Sequence, residues 1–252
     1  TKVYRGDDAL AKMIAEKPGN VVVLSGNNAR KTRMILASVE AGLNVLADKP
    51  MAITPDDFEL LRKAFQVAGE KGVLLYDIMT ERFEITTMLQ RELSLIPDVF
   101  GTQAAGSLEK PAVTKESVHH YFKEVSGKPL QRPWWFFDVT AQGEGIVDVT
   151  THLVYLVQWE LHPGTVLKEA DVEMLSARTW PTKVTLDQFK KVTGLDAFPP
   201  ELKDRVNAEG VLEVRANGEF TTSCAASAAR CRWSGTSRPR LAPRTPTTRS
   251  CR

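Results

Sequence analysis

Cysteine is absent from the first 222 residues of this 252-residue chain; Cys224, Cys231 and Cys251 all fall in the tail that follows. No disulfide framework is therefore expected to hold the fold. Nowhere does an apolar run approach the ~18 residues that a membrane helix needs, so no membrane span is expected. The opening "TKVYRGDDAL" contains no apolar stretch, so no signal peptide is visible. It also contains no methionine, and upstream sequence is expected to be missing. Localisation is read as cytoplasmic by default, with an exported parent left open. Residues 223–252 hold no acid and no lysine but seven arginines. Without them the formal charge falls from +2 for the whole chain to −5 for residues 1–222, where 26 basic residues face 31 acidic ones. That tail composition predicts disorder. It reads as an out-of-frame translation rather than a nucleic-acid-binding arm, so no nucleic-acid partner is expected. No internal repeat runs at a fixed period.

What is present alternates helix and strand. "DDALAKMIAEKPG" places Leu10, Met13 and Ile14 at helical spacing and stops at Pro18-Gly19. "NVVVLSGN" is a β-branched run bounded by Asn and Gly, which suits a buried parallel strand. "ARKTRMILASVEAG" is helical up to Gly42, and "LNVLADKP" is the next strand. "TPDDFELLRKAFQVAGEKG" has Thr54 as N-cap, Pro55 at the first helical position and acids in its first turn. "VLLYDIM" follows as a third strand. This order means βαβ units and a parallel sheet. Beyond residue 82, "RFEITTMLQRELSLI" reads as one helix, "QRPWWFFDV" is aromatic, and "EGIVDVTTHLVYLVQWEL" is a helix broken by glycine. "DVEMLSARTW" and "GVLEVRANGEFTT" read as strands, the second as a hairpin about Asn217-Gly218. The expected fold is α/β plus α+β. A partial parallel sheet in residues 1–82 precedes an α+β domain with an antiparallel sheet in 83–222, and 223–252 form a basic disordered tail.

Ligands bind beyond the carboxyl ends of strands in open α/β sheets. Three such ends here are polar: Ser25-Gly26-Asn27-Asn28, Asp48-Lys49-Pro50, and the stretch carrying Asp77, Glu81 and Arg82. Capping of the next helix explains "SGNN" as well as ligand binding does. Lys49, flanked by Ala47, Pro50 and Met51, is a poor surface residue, and a partly buried ammonium needs a partner.

"AGLNVLADKPMAIT" resembles the signature "AGKHVLCEKPLA" of the Gfo/Idh/MocA oxidoreductases, the family of glucose–fructose oxidoreductase and inositol dehydrogenase. About a hundred residues on, "GEGIVDVTTHLVYLVQW" resembles "GGGxLxDxGxHxxD", with Gly143, Gly145, Asp148 and His152 in register. The resemblance covers roughly residues 1–222. It implies a Rossmann-type first domain, NAD or NADP as cofactor, a homo-oligomeric parent, and hydride transfer to or from a small carbohydrate, polyol or glycoside hydroxyl. By the same resemblance Lys49 and His152 are catalytic, His152 as acid/base and Asp148 as its support. Ser25, Gly26, Asn27, Asn28, Asp48, Lys49 and Pro50 would line the cofactor. Arg82, Arg132, Trp134 and Trp135 are candidates for the substrate, and core packing is the other reading of the tryptophans. His119 and His120 are adjacent and project differently, so no metal site is expected.

The chain departs from the family pattern in several places. No G-x-G-x-x-G occurs in it. "SGNNARK" puts Lys31 where a histidine is common, "MTERF" keeps only Arg82 and Phe83 of "YNxRF", and Tyr155 replaces the terminal acid of the second motif. A non-catalytic cleft-binding relative, or an inactive fragment of such an enzyme, is therefore the competing reading.

Overall fold

The computed structural model describes residues 2–224, 227–236 and 247–249. The chain divides into two compact units, Thr1–Met79 with Ala141–Gly143, and Thr80–Thr140 with Glu144–Arg252. Met79 ends the first stretch of the first unit, and the described strand residues 227–236 and 247–249 fall in the second.

The first unit runs α1 (Ala9–Glu16), β1 (Val21–Leu24), α2 (Lys31–Glu40), β2 (Asn44–Ala47), α3 (Pro55–Lys71) and β3 (Leu75–Asp77). Its three strands are parallel in the order β1-β2-β3, with Val22 opposite Val45 and Leu46 opposite Tyr76. α3 starts where the sequence directs. The Thr54 hydroxyl accepts the Asp57 amide at 3.1 Å, Pro55 opens the helix, and Gly72 at φ 64° closes it in the left-handed region. Ile35 and Val39 of α2 meet Leu61, Ala64 and Ala68 of α3 over Val45, Ala47 and Leu75. β1 is not the wholly buried strand expected: Val21 and Val23 are exposed. Period-two alternation places them opposite the face that α2 and α3 cover.

The second unit begins with the 3-10 turn Glu81–Phe83, then α4 (Ile85–Ser94), α5 (Pro97–Phe100), β4 (Val113–His120), β5 (Glu124–Val125), β6 (Lys128–Pro129) and a second 3-10 turn, Trp134–Phe137. Next come α6 (Val139–Gln142), whose end belongs to the first unit, α7 (Gly145–Asp148), α8 (Thr150–Leu161), β7 (Val172–Val184) and α9 (Leu186–Thr193). Strands β8 (Leu212–Cys224), β9 (Ser227–Thr236) and β10 (Thr247–Arg249) follow, with further 3-10 turns at Glu169–Asp171 and Pro200–Arg205. The single helix expected over 82–96 is shorter. Glu84 is extended and caps α4 by accepting the Thr87 amide, and Pro97 begins a separate turn. α7 and α8 are the two halves of the glycine-broken helix, divided at Val149. The sheet order is β10-β4-β9-β8-β7, antiparallel throughout except for the parallel β4–β9 pair.

Two expectations are corrected here. Asn217-Gly218 is not a turn but the middle of the continuous strand β8. Asn217 is buried; its amide donates to the Trp180 carbonyl at 3.0 Å and the Thr182 hydroxyl at 2.9 Å, and its oxygen accepts the Gly235 amide at 2.9 Å. A Cβ on Gly218 would lie 2.5 Å from Ile146 of α7, so the glycine serves close packing rather than a turn. Residues 227–236, in the first part of the tail, are the second correction. β9 lies between β8 and β4, with Phe220 opposite Cys231 and Lys115 opposite the same cysteine. Ala228, Ala229 and Cys231 are buried. Arginine content had suggested disorder, but a ladder on both edges satisfies the β9 backbone, and its buried hydrophobic residues Ala228, Ala229 and Cys231 are small. Residues 237–246 and 250–252, Cys251 among them, lie outside the described residues.

Candidate functional site

In the first unit the loop after β1 and the turn after β2 are tied together by one buried cation. Lys31, the first residue of α2, reaches the Asn28 side-chain oxygen at 2.7 Å, the Asp48 carbonyl at 3.0 Å and the Pro50 carbonyl at 3.2 Å. The Lys49–Pro50 peptide is cis. The Asp48 carboxylate accepts the Lys49 amide at 2.9 Å, and Thr32 donates its hydroxyl to the Met51 carbonyl. The backbone around Lys49 is thus held by side chains from α2 and by its own neighbour. Lys49 is itself half-buried at the carboxyl end of β2.

Ser25, Gly26 and Asn27 form an exposed loop, with Gly26 at φ 110° and open space where a Cβ would stand. Asn27 accepts the Ala29 amide at 2.9 Å. Asn28 is different: it is buried, and its amide donates to the Gln142 carbonyl at 2.8 Å. Its side chain therefore has a packing task beside any role towards a cofactor. Asp77 accepts the Met79 amide within the first unit, whereas Glu81 and Arg82 belong to the second, so the third polar strand end is divided between the units.

In the second unit His152, on the first turn of α8, places Nδ1 2.9 Å from Glu81 Oε1. Nδ1 is buried, and the contact is close without being aligned as a hydrogen bond. Asp148 lies at the end of α7, and its charge bears on the Arg132 guanidinium. Burial pulls Arg132 below the usual arginine range, and Asp148 opposes that shift. Arg132 donates Nε–H to the Tyr121 carbonyl at 2.8 Å, lies 3.2 Å from His119 Nε2, and stacks 4.2 Å from the Phe136 ring centre. Arg82, read as a substrate residue, hydrogen-bonds the Tyr155 hydroxyl and lies over the Tyr155 and Phe83 rings. Trp134 packs against the core of Tyr121, Phe137, Phe189 and Leu202, which favours the core reading for that ring; Trp135 is half-buried.

Sequence reasoning missed two residues. Lys31 had been noted only as a departure from the family's histidine, and its neighbours were not predictable from spacing. Glu81 was seen as a polar strand end, but nothing in the sequence paired it with a residue 71 positions away. A cavity of about 400 Å³ lined by Glu144, Asp204, Arg205, Asn207, Glu213 and Arg215 includes none of the predicted site residues. Among the described residues, no group of three or more His, Cys, Asp and Glu could hold a metal ion. No described helix is long and apolar enough to cross a membrane.

Comparison with known proteins places these residues in a family context. No curated protein matches the chain. Among solved structures, one described as a "putative oxidoreductase" from Parabacteroides merdae ATCC 43184 is 51% identical over 96% of this chain and 54% of its own, with a TM-score of 0.89. An oxidoreductase-titled structure from Erwinia carotovora atroseptica SCRI1043 shares the fold at 12% identity and TM-score 0.65, over 96% and 59% of the two chains. The WlbA dehydrogenase from Bordetella pertussis, solved with NADH and UDP-GlcNAcA, shares it at 15% identity and TM-score 0.54, over 89% and 55%. The chain thus spans little more than half the length of these structures. Residues 89–234 match the family described as "Putative oxidoreductase C terminal domain", a match that enters the arginine-rich tail and includes most of β9. Because that match takes in more than half of its residues, the chain belongs to this oxidoreductase family.

Proposed function

We propose that the protein is an NAD(P)-dependent oxidoreductase that exchanges a hydride with a hydroxyl-bearing carbon of a carbohydrate, polyol or glycoside. The observation that carries this reading is the turn Asp48-Lys49-Pro50. A lysine stands at the carboxyl end of a parallel strand, and its backbone is held from α2 by the buried Lys31. Family membership supports redox chemistry. Of the fold relatives, WlbA was solved with NADH and a nucleotide sugar, and GenD2 of gentamicin A biosynthesis with NAD.

The residues present suit a nicotinamide nucleotide. Ser25, Gly26 and Asn27 offer an exposed loop whose glycine leaves room for a ligand, and Asp48, Lys49 and Pro50 form the next strand end. When bound, the cofactor supplies the hydride acceptor or donor. Lys49, as a cation, stabilises the alkoxide that develops when a hydroxyl is oxidised. His152 takes the hydroxyl proton as general base. Asp148 supports His152, its charge also favours the Arg132 guanidinium, and Arg132 with Trp135 contacts the sugar.

The test is hydride transfer by the full-length protein. NAD and NADP are supplied with hexoses, inositols and UDP-linked sugar acids, and reduced cofactor is followed by absorbance. We expect turnover with one of these classes. Lys49→Ala should lower kcat by a factor on the order of 10² or more while leaving the melting temperature within a degree or so. Near-normal kcat in that variant would reject the assignment of Lys49, and no cofactor binding by fluorescence titration would reject the oxidoreductase reading of the whole protein.

A further inference from the structure

We propose that Glu81 is the positioning residue of His152. Its carboxylate selects the imidazole tautomer with the proton on Nδ1, so that Nε2 carries the lone pair that accepts the substrate proton. The inference rests on the reading of His152 as a base and deepens it. Three observations carry it. Glu81 Oε1 lies 2.9 Å from His152 Nδ1, the two side chains being 38% and 22% exposed. Glu81 is set in a short turn closed by its own backbone bonds, Phe83 N–H to the Thr80 carbonyl at 3.0 Å and Glu84 N–H to the Glu81 carbonyl at 3.2 Å. The same turn is docked on the same helix by a second pair. Arg82 bonds the Tyr155 hydroxyl and covers its ring, and Tyr155 follows His152 by three residues, on one face of α8. A ring held at one edge by Glu81, beside a turn locked by Arg82 and Tyr155, has little freedom to swing.

The chemistry follows from this arrangement. A neutral imidazole has one N–H and one lone pair, and a carboxylate beside one nitrogen makes that nitrogen the N–H. Nε2 is then the accepting atom. When a hydroxyl is oxidised, its O–H bond breaks and an Nε2–H bond forms. The positive charge so created on the ring faces Glu81, while a bound nicotinamide would accept the hydride. A third group that orients a base in this way is the general pattern of activated acid–base pairs. The contact is close without being aligned as a hydrogen bond, and bonds between catalytic groups commonly tighten when substrate binds. Glu81→Gln keeps the size and shape of this part-buried side chain, so the substitution tests orientation, and a thermal melt of the variant checks that the fold is kept.

The experiment reads the tautomer directly. The chain has four histidines, His119, His120, His152 and His162, so nitrogen–carbon-bound-proton correlation spectra of the imidazoles can be assigned by comparison with His152→Gln. Spectra are recorded without cofactor or substrate, at a pH where the rings are neutral. We expect His152 to show the Nδ1–H pattern in the parent, the Nε2–H pattern in Glu81→Gln, and at least partial return to Nδ1–H in Glu81→Asp. An Nε2–H pattern in the parent, or one that Glu81→Gln leaves unchanged, overturns the proposal. In the active full-length protein, Glu81→Gln should lower kcat by a factor on the order of 10² with KM changed by no more than a few-fold. If the spectra behave as expected but His152→Gln retains full turnover, the positioning contact stands and the reading of His152 as the base falls.

Discussion

Lys115 on β4 and Glu160 on α8 form an ion pair at 2.7 Å, with only 5% and 9% of their side chains exposed. The pair lies where Leu153 and Val157 of α8 meet Val113, Phe220 and Ala229 of the sheet, and Gln90 also donates to the Glu160 carboxylate at 3.4 Å. Removing one partner strands a buried charge. Lys115→Met alone should therefore destabilise the protein by about 3–5 kcal/mol, whereas Lys115→Met combined with Glu160→Leu should cost little or nothing. Denaturant titration of both single variants and the double variant measures the coupling. Equal, additive losses would mean that the charges are solvated and independent.

Gly145 explains one glycine of the second motif physically. A Cβ there would stand 2.3 Å from the Ala216 carbonyl oxygen and 2.7 Å from its carbonyl carbon, with backbone rather than a yielding side chain in the way. Gly145→Ala should push α7 off β8 at a cost of about 1–3 kcal/mol or more. A thermal melt reads it; a variant as stable as the parent would show that α7 does not pack so closely.

Lys31→Met should loosen the turn that carries Lys49. The buried ammonium satisfies the Asn28 oxygen and the Asp48 and Pro50 carbonyls, and methionine of similar length satisfies none of them. Each buried acceptor left unpaired costs about 1–3 kcal/mol, partly relieved by relaxation. Hydrogen exchange should speed up in residues 48–52 before it does in α3, and exchange unchanged there would deny Lys31 its role.

Burial pushes the Cys231 thiol up to about 12, against the nearby positive charge of Lys115, which acts the other way. An exposed cysteine titrates near ~8.5. Between those values the unfolded chain has lost the thiol proton and the folded chain has kept it. The unfolded state then binds fewer protons, so stability falls as pH rises, by about 1.4 kcal/mol per pH unit for this group. Cys231→Ala should flatten the decline of stability above pH ~9, measured as the denaturant midpoint against pH. In the folded parent Cys231 should resist a thiol reagent until the protein unfolds.

Truncation after Cys224 should be far from neutral. It removes β9, which pairs with β8 on one side and β4 on the other, and takes Ala228, Ala229 and Cys231 out of the interior. β8 and β4 would then expose unpaired edges, and the product should aggregate or lose its cooperative melt. A soluble truncated protein with the parent's melting temperature would show that β9 contributes nothing.

The local grammar of the chain was legible without coordinates. Thr54, Pro55 and Gly72 bound α3, the β-branched runs matched the three parallel strands, and Gly145 marked the start of α7. Each of these depends on interactions within a few residues, which composition and spacing record. The sequence also carried the two motifs that pointed to an oxidoreductase. What it did not carry were partners distant along the chain. Asn217-Gly218 has the residues of a turn, but the sheet overrode that local preference by giving Asn217 three partners and pressing Ile146 against Gly218. The arginines of the tail announced solvent, yet β9 is central because its backbone finds ladders on both edges. Glu81, 71 positions before His152, lies 2.9 Å from that ring, and no spacing announced the contact. Spacing fixes which residues share a helix face; only folding decides which distant carboxylate comes to meet that face, because long-range contacts are set by how whole elements pack.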